Sequence, residues 1–221
     1  VTTYTVDTSD KEAVYAYADQ AVRDHGKVHM IFNNAGVSLT DSVEHMSYKD
    51  FEWLMDINFW GVVYGTKAFL PYLQKTEDAH IINTSSIFGT IAVPSQSAYN
   101  ASKFAVRGFT YALGMELVDT HINVSCVQPG GVKTNIARDS RYVASDNRAP
   151  TRAEFVASFD TMANLTSEQA AEKILKGILK NKAQILVGKD ALLAAIMERL
   201  APVYYQKLII KLFGDGLANP P

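Results

Sequence analysis

The sequence AHIINTSSIFGTIAVPSQSAYNASK occupies residues 79–103, and its order of apolar and polar residues decides the fold. Residues 79–83 predict a strand, and the short apolar run at 28–32 is typical of a strand that is covered on both faces, as in a parallel sheet. Polar residues at 83–86 end the strand at 79–83, and a helical repeat begins at Tyr99 and continues to Val118. A strand that ends in polar residues before a helix predicts a ligand site at the carboxyl end of that strand.

Strands and helices alternate along the rest of the chain in the same way. Short apolar or β-branched runs predict further strands at residues 1–6, 28–32, 122–127 and 184–187. Because helical segments separate these runs, we expect a parallel sheet with helices on both faces. The predicted fold class is therefore α/β: a doubly wound, Rossmann-like parallel sheet in a three-layer α/β/α arrangement, forming a single domain over residues 1–221.

Capping motifs predict where three of the other helices begin. Ser9 precedes a helical repeat that runs up to Gly26, Ser47 precedes one that ends near Pro71, and Thr166 precedes one that ends near residue 180. The second of these is apolar on nearly every face, so we expect it to be buried on most sides. Residues 137–160 differ, because they are polar and aperiodic and predict a functional loop that carries Arg138, Arg141, Arg148 and Arg152.

The composition excludes several classes of protein. With a formal net charge of −2 and no basic cluster, no nucleic acid partner is expected. The single cysteine, Cys126, excludes an internal disulfide and, with no secretion leader, favours a reducing, cytoplasmic location. Histidines stand scattered at 25, 29, 45, 80 and 121, so no metal site is expected. No uncharged apolar run approaches the roughly 20 residues that a membrane-spanning helix needs.

The last part of the chain, about residues 190–214, is predicted to be a helical extension. It consists of two short helices with a break near Pro202. The second helix should carry an apolar stripe flanked by lysines, made of Tyr204, Leu208, Leu212, Lys207 and Lys211. We interpret the extension as a cover for the substrate pocket or for a neighbouring subunit. A helix lying on a membrane surface is the less favoured alternative.

Four polar motifs fall at the predicted carboxyl ends of the strands or at the start of the helix after them. They are Asn33-Asn34-Ala35-Gly36, Asn83-Thr84-Ser85-Ser86, Tyr99-Asn100-Ala101-Ser102-Lys103 and Pro129-Gly130-Gly131-Val132-Lys133-Thr134. A tyrosine four residues before a lysine is weak on its own, since chance gives about 0.7 such pairs in this chain. An exposed helical pair would be its ordinary interpretation. The order of all four motifs together is far more specific.

The residue types in these motifs suit proton transfer at a carbonyl oxygen. A tyrosine has a pKa of about 10, which is too high for efficient acid–base work at neutral pH. Lys103 follows Tyr99 by one helical turn, so its charge should favour the phenolate and lower that pKa.

On these motifs the chain resembles the short-chain dehydrogenase/reductase family over essentially its whole length. The resemblance implies the catalytic residues Asn58, Ser86, Tyr99 and Lys103, with Asn58 holding a water in a proton relay. A buried amide that satisfies nearby backbone is the alternative for Asn58. The resemblance also points to a homodimer or homotetramer, and we expect the apolar surfaces of residues 51–69 and 104–118 to form it.

A nicotinamide cofactor, NAD or NADP, is the next implication of this resemblance. The family's cofactor contacts fall on Asp7, Asn34, Ala35, Gly36, Tyr99, Lys103, Pro129, Gly130, Val132 and Thr134. Asp7 would lie beside the adenine, whereas Val132 and Thr134 would hold the nicotinamide carboxamide. Thr134 could also cap a short helix. The glycine-rich turn that receives the pyrophosphate is not found before Val28, so we expect about 50–60 residues, two strand–helix units, to be missing from the N-terminus relative to the family.

The predicted function is that of an NAD(P)-dependent alcohol dehydrogenase or carbonyl reductase with Tyr99 as its acid and base. An apolar pocket favours a hydrophobic substrate, and its predicted lining is Ile87, Phe88, Ile91, Val93, Phe155, Phe159 and Met162. One alternative is a catalytically silent, Rossmann-like binding or regulatory protein, which would have no reason to retain the whole catalytic set. The other is a peripheral, membrane-associated reductase that modifies lipids, for which the C-terminal segment should be exposed.

Overall fold

The computed structural model of the chain describes residues 1–143 and 151–213, and a parallel sheet lies at its centre. The strands are β1 (Met30–Asn33), β2 (Leu39–Thr40), β3 (Ala79–Thr84), β4 (Ile122–Pro129), β5 (Arg141–Tyr142) and β6 (Gln184–Val187). The central sheet has the order β1-β3-β4-β6 with every pair parallel, and β2 pairs with β5 separately. The predicted doubly wound α/β fold is confirmed.

Helices cover both faces of the sheet. They are α1 (Lys11–His25), α2 (Tyr48–Met55), α3 (Gly61–Leu73), α4 (Ser97–Glu116), α5 (Arg152–Met162), α6 (Ser167–Ile178), α7 (Lys189–Leu200) and α8 (Tyr205–Phe213). A π-helical turn at Asp56–Trp60 joins α2 to α3, and a 3-10 turn at Ile87–Gly89 follows β3. Because side chains alternate along a strand, Ile81 joins the core beneath α1 and α3, whereas Ile82 joins the core beneath α6.

Residues 1–6 do not form the predicted strand. They are irregular and mostly exposed, and they lie against α1, where the Tyr4 and Tyr17 ring centroids are 5.2 Å apart and the Tyr4 hydroxyl donates to the Asp24 carboxylate. A strand requires a neighbouring strand to complete its backbone hydrogen bonds. None of the described strands lies beside residues 1–6, so their β-branched pattern has nothing to pair with.

Two helix boundaries differ from the prediction. Asp10, rather than Ser9, caps α1, because its carboxylate accepts the backbone N–H of Ala13 at 3.0 Å. Pro71 lies inside α3, which ends only at Leu73. A proline interferes with the turn that precedes it, so the helix can continue for the residues that follow.

The polar segment at 137–160 is not a continuous loop. It contains β5, and α5 begins in it behind a capping box formed by Thr151 and Glu154. The Arg141 guanidinium lies 3.5 Å from the centroid of the Trp53 ring and 2.7 Å from the Asp50 carboxylate, which ties β5 to α2. Sequence periodicity did not reveal α5 because none of its residues is buried. Arg148 lies outside the described residues.

The C-terminal extension consists of two helices with a break at Pro202, as predicted. The predicted stripe faces solvent, because Tyr204 and Leu208 are exposed whereas Tyr205 and Ile209 are buried. The buried pair contacts Ile91, Val93 and α7. Apolar residues lie on both sides of α8, so the sequence alone did not determine which side faces the protein; the side chain of Leu212 lies outside the described part.

A buried histidine joins the amino-terminal part of β3 to β4. His80 is 4% exposed, and its Nε2 lies 2.7 Å from the hydroxyl of Ser125, which in turn donates to the carbonyl oxygen of Lys182 at 2.7 Å. A serine hydroxyl has one hydrogen, so His80 must be the donor in the first of these bonds. Burial lowers the pKa of His80 below its ordinary value, since charging the ring would require desolvating an imidazolium.

This histidine predicts acid sensitivity of the fold. Below a pH of about 6.5 the unfolded chain takes up a proton at position 80 and the folded chain resists it, so stability is retained above that pH and lost as the pH falls. We expect the melting temperature to drop between pH 7 and pH 5, and to drop less in His80→Gln. Equal pH slopes for the two proteins in calorimetry would contradict this role.

Candidate active site

The end of β3 brings Ser86 to the carboxyl edge of the sheet. Ser86 caps the 3-10 turn, with its hydroxyl accepting the N–H of Phe88 at 3.1 Å. Ser85 points the other way and donates to the carbonyl oxygen of Lys103 at 2.7 Å. A Cβ at Gly89 would lie 2.3 Å from the Ser85 hydroxyl and 2.6 Å from that carbonyl oxygen, so a glycine is needed for α4 to approach β3 closely.

Tyr99 lies in the first turn of α4 and is 8% exposed. Its ring meets that of Phe88 edge to face, with centroids 6.1 Å apart, and it belongs to a cluster with Leu39 and Leu54. Burial raises the pKa of Tyr99 to about 12, while a hydrogen bond from Ser86 acts in the opposite direction. The expected lowering of this pKa by Lys103 is therefore wrong for this structure: desolvation dominates, and the phenol carries its proton at neutral pH.

The ammonium of Lys103 lies beneath this ring. Its Nζ is 5.7 Å from the centroid of Tyr99 and donates to the carbonyl oxygen of Thr84 at 3.1 Å. Burial lowers the pKa of Lys103 to about 8, so the side chain remains mostly charged at pH 7. An ammonium has three N–H donors, and one of them is used within the described part of the chain.

Asn58 lies in the π-helical turn, a distortion that often marks functional sites. It is fully buried, and its amide exchanges hydrogen bonds with the backbone of Val37, at 2.8 Å to the N–H and 2.9 Å to the carbonyl oxygen. Its Nδ2 also donates to Ser102 at 3.2 Å. The geometry fits the alternative of an amide that holds local backbone, and the relay role stays a prediction.

The turn after β1 lies close to both Asn58 and Lys103. A Cβ on Gly36 would lie 3.3 Å from Asn58 Oδ1 and 3.3 Å from Lys103 Nζ, so Gly36 brings backbone close to the ammonium. Asn34 accepts a hydrogen bond from the Thr84 hydroxyl at 3.1 Å, which ties this turn to the end of β3. The motif that contains Ala35 therefore lies at the same edge as Lys103.

Asn33, the first residue of the same motif, has a structural task. Its Nδ2 donates to Asn83 at 2.8 Å and to Thr66 of α3 at 3.1 Å, which joins two strands and a helix. A Cβ on Gly65 would lie 2.1 Å from Asn33 Oδ1, so α3 is in close contact with this amide.

The turn after β4 forms the other side of the site. Pro129 ends the strand, Gly130 donates to the carbonyl oxygen of Val187, and Val132 bridges to Leu165. Thr134 is exposed and opens a run of turns rather than the short helix that we considered for it.

The sequence did not reveal one residue that contacts this turn. The carboxylate of Asp190 accepts the N–H of Gly131 at 2.6 Å across a separation of 59 residues. The only signal in the sequence is an acidic residue in the first turn of a helix, which is too common to indicate a contact so far along the chain.

Asp7 stays apart from the catalytic residues. Its exposed carboxylate accepts the N–H and the hydroxyl of Ser9, at 2.9 and 2.7 Å, and these bonds lower the pKa of Asp7. The adjacent Thr8 lies against Gly61, where a Cβ would meet it at 3.1 Å. The structure thus places Asp7 near the start of α3, and its contact with adenine stays a prediction.

The predicted pocket lining is divided between two surfaces. Ile91 and Val93 are buried beneath α7 and α8, and Ile87 and Phe88 contact the same cluster. Met162 of α5 is 43% exposed, and Phe155 packs on Tyr142 at 5.3 Å between centroids. The extension therefore packs on the segment that follows Ser86, and its role as a cover for the substrate pocket stays a prediction.

Together these residues form a doubly wound α/β domain with a serine–tyrosine–lysine set at the carboxyl edge of its parallel sheet. This set is the one that the sequence motifs predicted. The model of the family described as short chain dehydrogenase matches residues 1–144, and the chain belongs to that family.

Individual relatives agree with this assignment. The Mycobacterium tuberculosis protein SadH is 47% identical over 207 residues, which cover 92% of this chain and 74% of that protein. A 3-ketodihydrosphingosine reductase of Bacteroides thetaiotaomicron is 37% identical over 139 residues, 63% of this chain and 51% of its own length. A short chain dehydrogenase/reductase of Burkholderia phymatum, solved in complex with NAD, superposes with a TM-score of 0.77 at 32% identity over 91% of this chain and 75% of its own.

Proposed function

We propose that this protein is an NAD(P)-dependent oxidoreductase that interconverts a carbonyl and a secondary alcohol. The observation that carries the proposal is the arrangement at the end of β3: the Lys103 ammonium lies beneath the ring of Tyr99, and Ser86 acts on the pKa of the same phenol. The NAD complex of the Burkholderia phymatum relative supports a nicotinamide cofactor. NAD and NADP remain equal candidates.

The residues at this edge of the sheet fit such a cofactor. Lys103 has N–H donors beyond the one given to Thr84, which suits the hydroxyls of a ribose. The lack of a side chain at Gly36 brings the backbone of the turn after β1 close to Lys103 and Asn58. Val132 and Thr134 would hold the carboxamide end of the nicotinamide.

The residues of this chain hold and transfer the proton of the proposed reaction. The bound dinucleotide supplies or accepts the hydride at the substrate carbon. In reduction, Ser86 donates a hydrogen bond to the substrate oxygen, and the Tyr99 phenol gives its proton to that oxygen. Because burial raises the pKa of Tyr99 to about 12, the phenol carries the proton that carbonyl reduction requires, although a pKa so far above neutral makes it a weak donor.

A hydrophobic substrate suits the walls of this site. Leu39 and Phe88 pack around Tyr99, and the Bacteroides thetaiotaomicron relative is named a 3-ketodihydrosphingosine reductase. The test is a panel of ketones with NADH and NADPH, using protein with its natural N-terminus. We expect higher kcat/KM for apolar ketones; higher values for phosphorylated or carboxylated ones would contradict this substrate class.

A membrane-associated reductase is the second candidate, and the exposed side of α7 and α8 favours it. Eight apolar residues there are at least 45% exposed: Leu192, Leu193, Ile196, Leu200, Val203, Tyr204, Leu208 and Ile210. Lys207 and Lys211 stand among them, as in helices that lie on lipid. In the described part of the chain no helix is long and apolar enough to cross a membrane.

Vesicle binding separates this candidate from a soluble reductase. Leu192→Ser with Leu208→Ser alters the exposed side and leaves the buried Tyr205 and Ile209 intact, so the fold should survive. Co-sedimentation with anionic vesicles that this pair abolishes would establish membrane association. Equal and weak sedimentation of both proteins would leave the soluble reductase.

A dimer or tetramer is also expected from exposed apolar side chains. Most of α3 is buried, as expected, but Phe51 and Trp60 are 36% and 43% exposed, and Phe104, Met115 and Val118 on or beside α4 are 40–73% exposed. Their pairing across a twofold axis would bury them. We expect light scattering at micromolar concentration to give at least a dimeric mass; a monomeric mass would contradict the interface.

A further inference from the structure

Asp190 makes three close approaches to glycines around the turn after β4. Its Oδ2 accepts the N–H of Gly131 at 2.6 Å. A Cβ on Gly130 would lie 2.1 Å from the same oxygen, and one on Gly188 would lie 2.2 Å from Oδ1. Three glycines are therefore packed around one carboxylate, which comes from the first turn of α7.

The end of α5 holds the same turn from the opposite side. A Cβ on Gly131 would lie 2.6 Å from the carbonyl oxygen of Met162. The N–H of Leu165 donates to the Gly131 carbonyl oxygen at 3.3 Å, and the N–H of Lys133 donates back to Leu165 at 2.8 Å. Gly131 is thus fixed between α5 and Asp190.

Helix α7 also contacts the substrate side of the site. Ala194, one turn after Asp190, is 1% exposed and lies in the cluster of Ile91 and Val93, and Met197 packs against it. Ile91 and Val93 belong to the segment that follows Ser86. One rigid helix therefore contacts the turn after β4 with its first residues and the substrate wall with its middle.

We propose that Asp190 is a positioning residue for the cofactor, which acts by fixing the turn that leads to Val132 and Thr134. This inference rests on the proposed function. Asp190 uses the Gly131 N–H itself, so it does not present that group to a ligand. Its bond sets the direction in which the chain leaves β4, and that direction determines where the carboxamide contacts lie.

The first test removes the carboxylate. Asp190→Ala should weaken NADH or NADPH binding about tenfold, since a hydrogen bond to a charged group is lost. Asp190→Asn keeps an oxygen that can accept the Gly131 N–H, so its Kd should lie between those of the wild type and Asp190→Ala. Glu198→Ala on the same helix is the matched control and should bind as the wild type does.

A second measurement does not require the cofactor. Hydrogen exchange at the Gly131 amide, followed by NMR on glycine-labelled protein, should speed up in Asp190→Ala and not in Glu198→Ala. The protection reports the hydrogen bond directly, and a general loss of stability would show at other amides as well.

A double-mutant cycle gives the sharpest test. The methyl group of Gly130→Ala would overlap the Asp190 carboxylate, whereas in an Asp190→Ala background that obstacle is gone. Gly130→Ala should therefore weaken cofactor binding far more in the wild type than in Asp190→Ala. Gly130 has no positive φ, so backbone strain does not confuse the comparison.

The outcomes separate this inference from the proposed function. Normal wild-type binding with unchanged Kd and exchange in Asp190→Ala would overturn the inference alone. Equal losses in Asp190→Asn and Asp190→Ala would overturn the hydrogen-bond role. A wild type that binds neither dinucleotide would remove the proposed function and this inference with it.

Discussion

Replacing Tyr99 by phenylalanine is expected to lower kcat by about three orders of magnitude or more while the protein stays folded. The phenol is the proton donor of the proposed reaction, and general acid catalysis contributes roughly 10²–10⁴-fold. The ring keeps its contacts with Phe88 and Leu39, so the substitution removes only the hydroxyl. That loss should cost about 1 kcal/mol of unfolding free energy. Turnover, melting temperature and cofactor Kd measure the three effects.

Tyr205 offers a control with the same burial. Like Tyr99 it is 8% exposed, and its hydroxyl accepts a backbone N–H, that of Ala92, at 3.2 Å. Tyr205→Phe should therefore lower stability about as much as Tyr99→Phe and leave kcat nearly unchanged. Near-normal turnover in purified Tyr99→Phe would end the proposed mechanism.

Replacing Lys103 by methionine should reduce kcat about a hundredfold or more and weaken cofactor binding, because one ammonium serves both. It should also raise the melting temperature. Burial lowers the pKa of Lys103 to about 8, so the folded state disfavours the charge that the side chain carries in the unfolded chain. Methionine has similar length and no such charge.

The same lysine predicts a pH limit for carbonyl reduction. As the pH rises through about 8, the ammonium loses its proton and wild-type kcat/KM should fall. The residual activity of Lys103→Met should not decrease over this pH range. A profile that stays flat to pH 10 in the wild type, or full activity in Lys103→Met, would contradict the role of the lysine.

The sequence correctly predicted those elements whose structure is determined by local chemistry. The run at 184–187 became β6 with the predicted bounds, and the break at Pro202 separates α7 from α8. Both follow from local chemistry, namely the apolarity of a buried strand and the missing N–H of proline. The motifs around Ser86 and Tyr99 came together because the carboxyl ends of parallel strands share one edge.

Other features depend on what each residue meets in space. Residues 1–6 have the composition of a strand, but no described neighbour pairs with them. The inward side of α8 is set by contact with Ile91 and Val93, not by its own apolar stripe. The contact of Asp190 with Gly131 spans 59 residues and leaves no local signal.

The electrostatics of the site show the same dependence on burial. From the sequence, a lysine one turn after a tyrosine lowers the pKa of the tyrosine. In the structure both side chains are buried, and burial raises the pKa of Tyr99 to about 12 while it lowers that of Lys103 to about 8. Spacing along a helix places two groups near each other, but only the fold determines how much water remains around them.

Transfer of deuterium from a labelled dinucleotide tests the central claim most directly. NADH and NADPH carrying deuterium at the reactive carbon are incubated with an apolar ketone and the protein with its natural N-terminus, and the product is examined by mass spectrometry. The account predicts a secondary alcohol with one deuterium on its carbinol carbon in the wild type and in Tyr205→Phe, and almost none in Tyr99→Phe. Unreacted ketone in every sample, or equal labelling of the alcohol by Tyr99→Phe and the wild type, would contradict it.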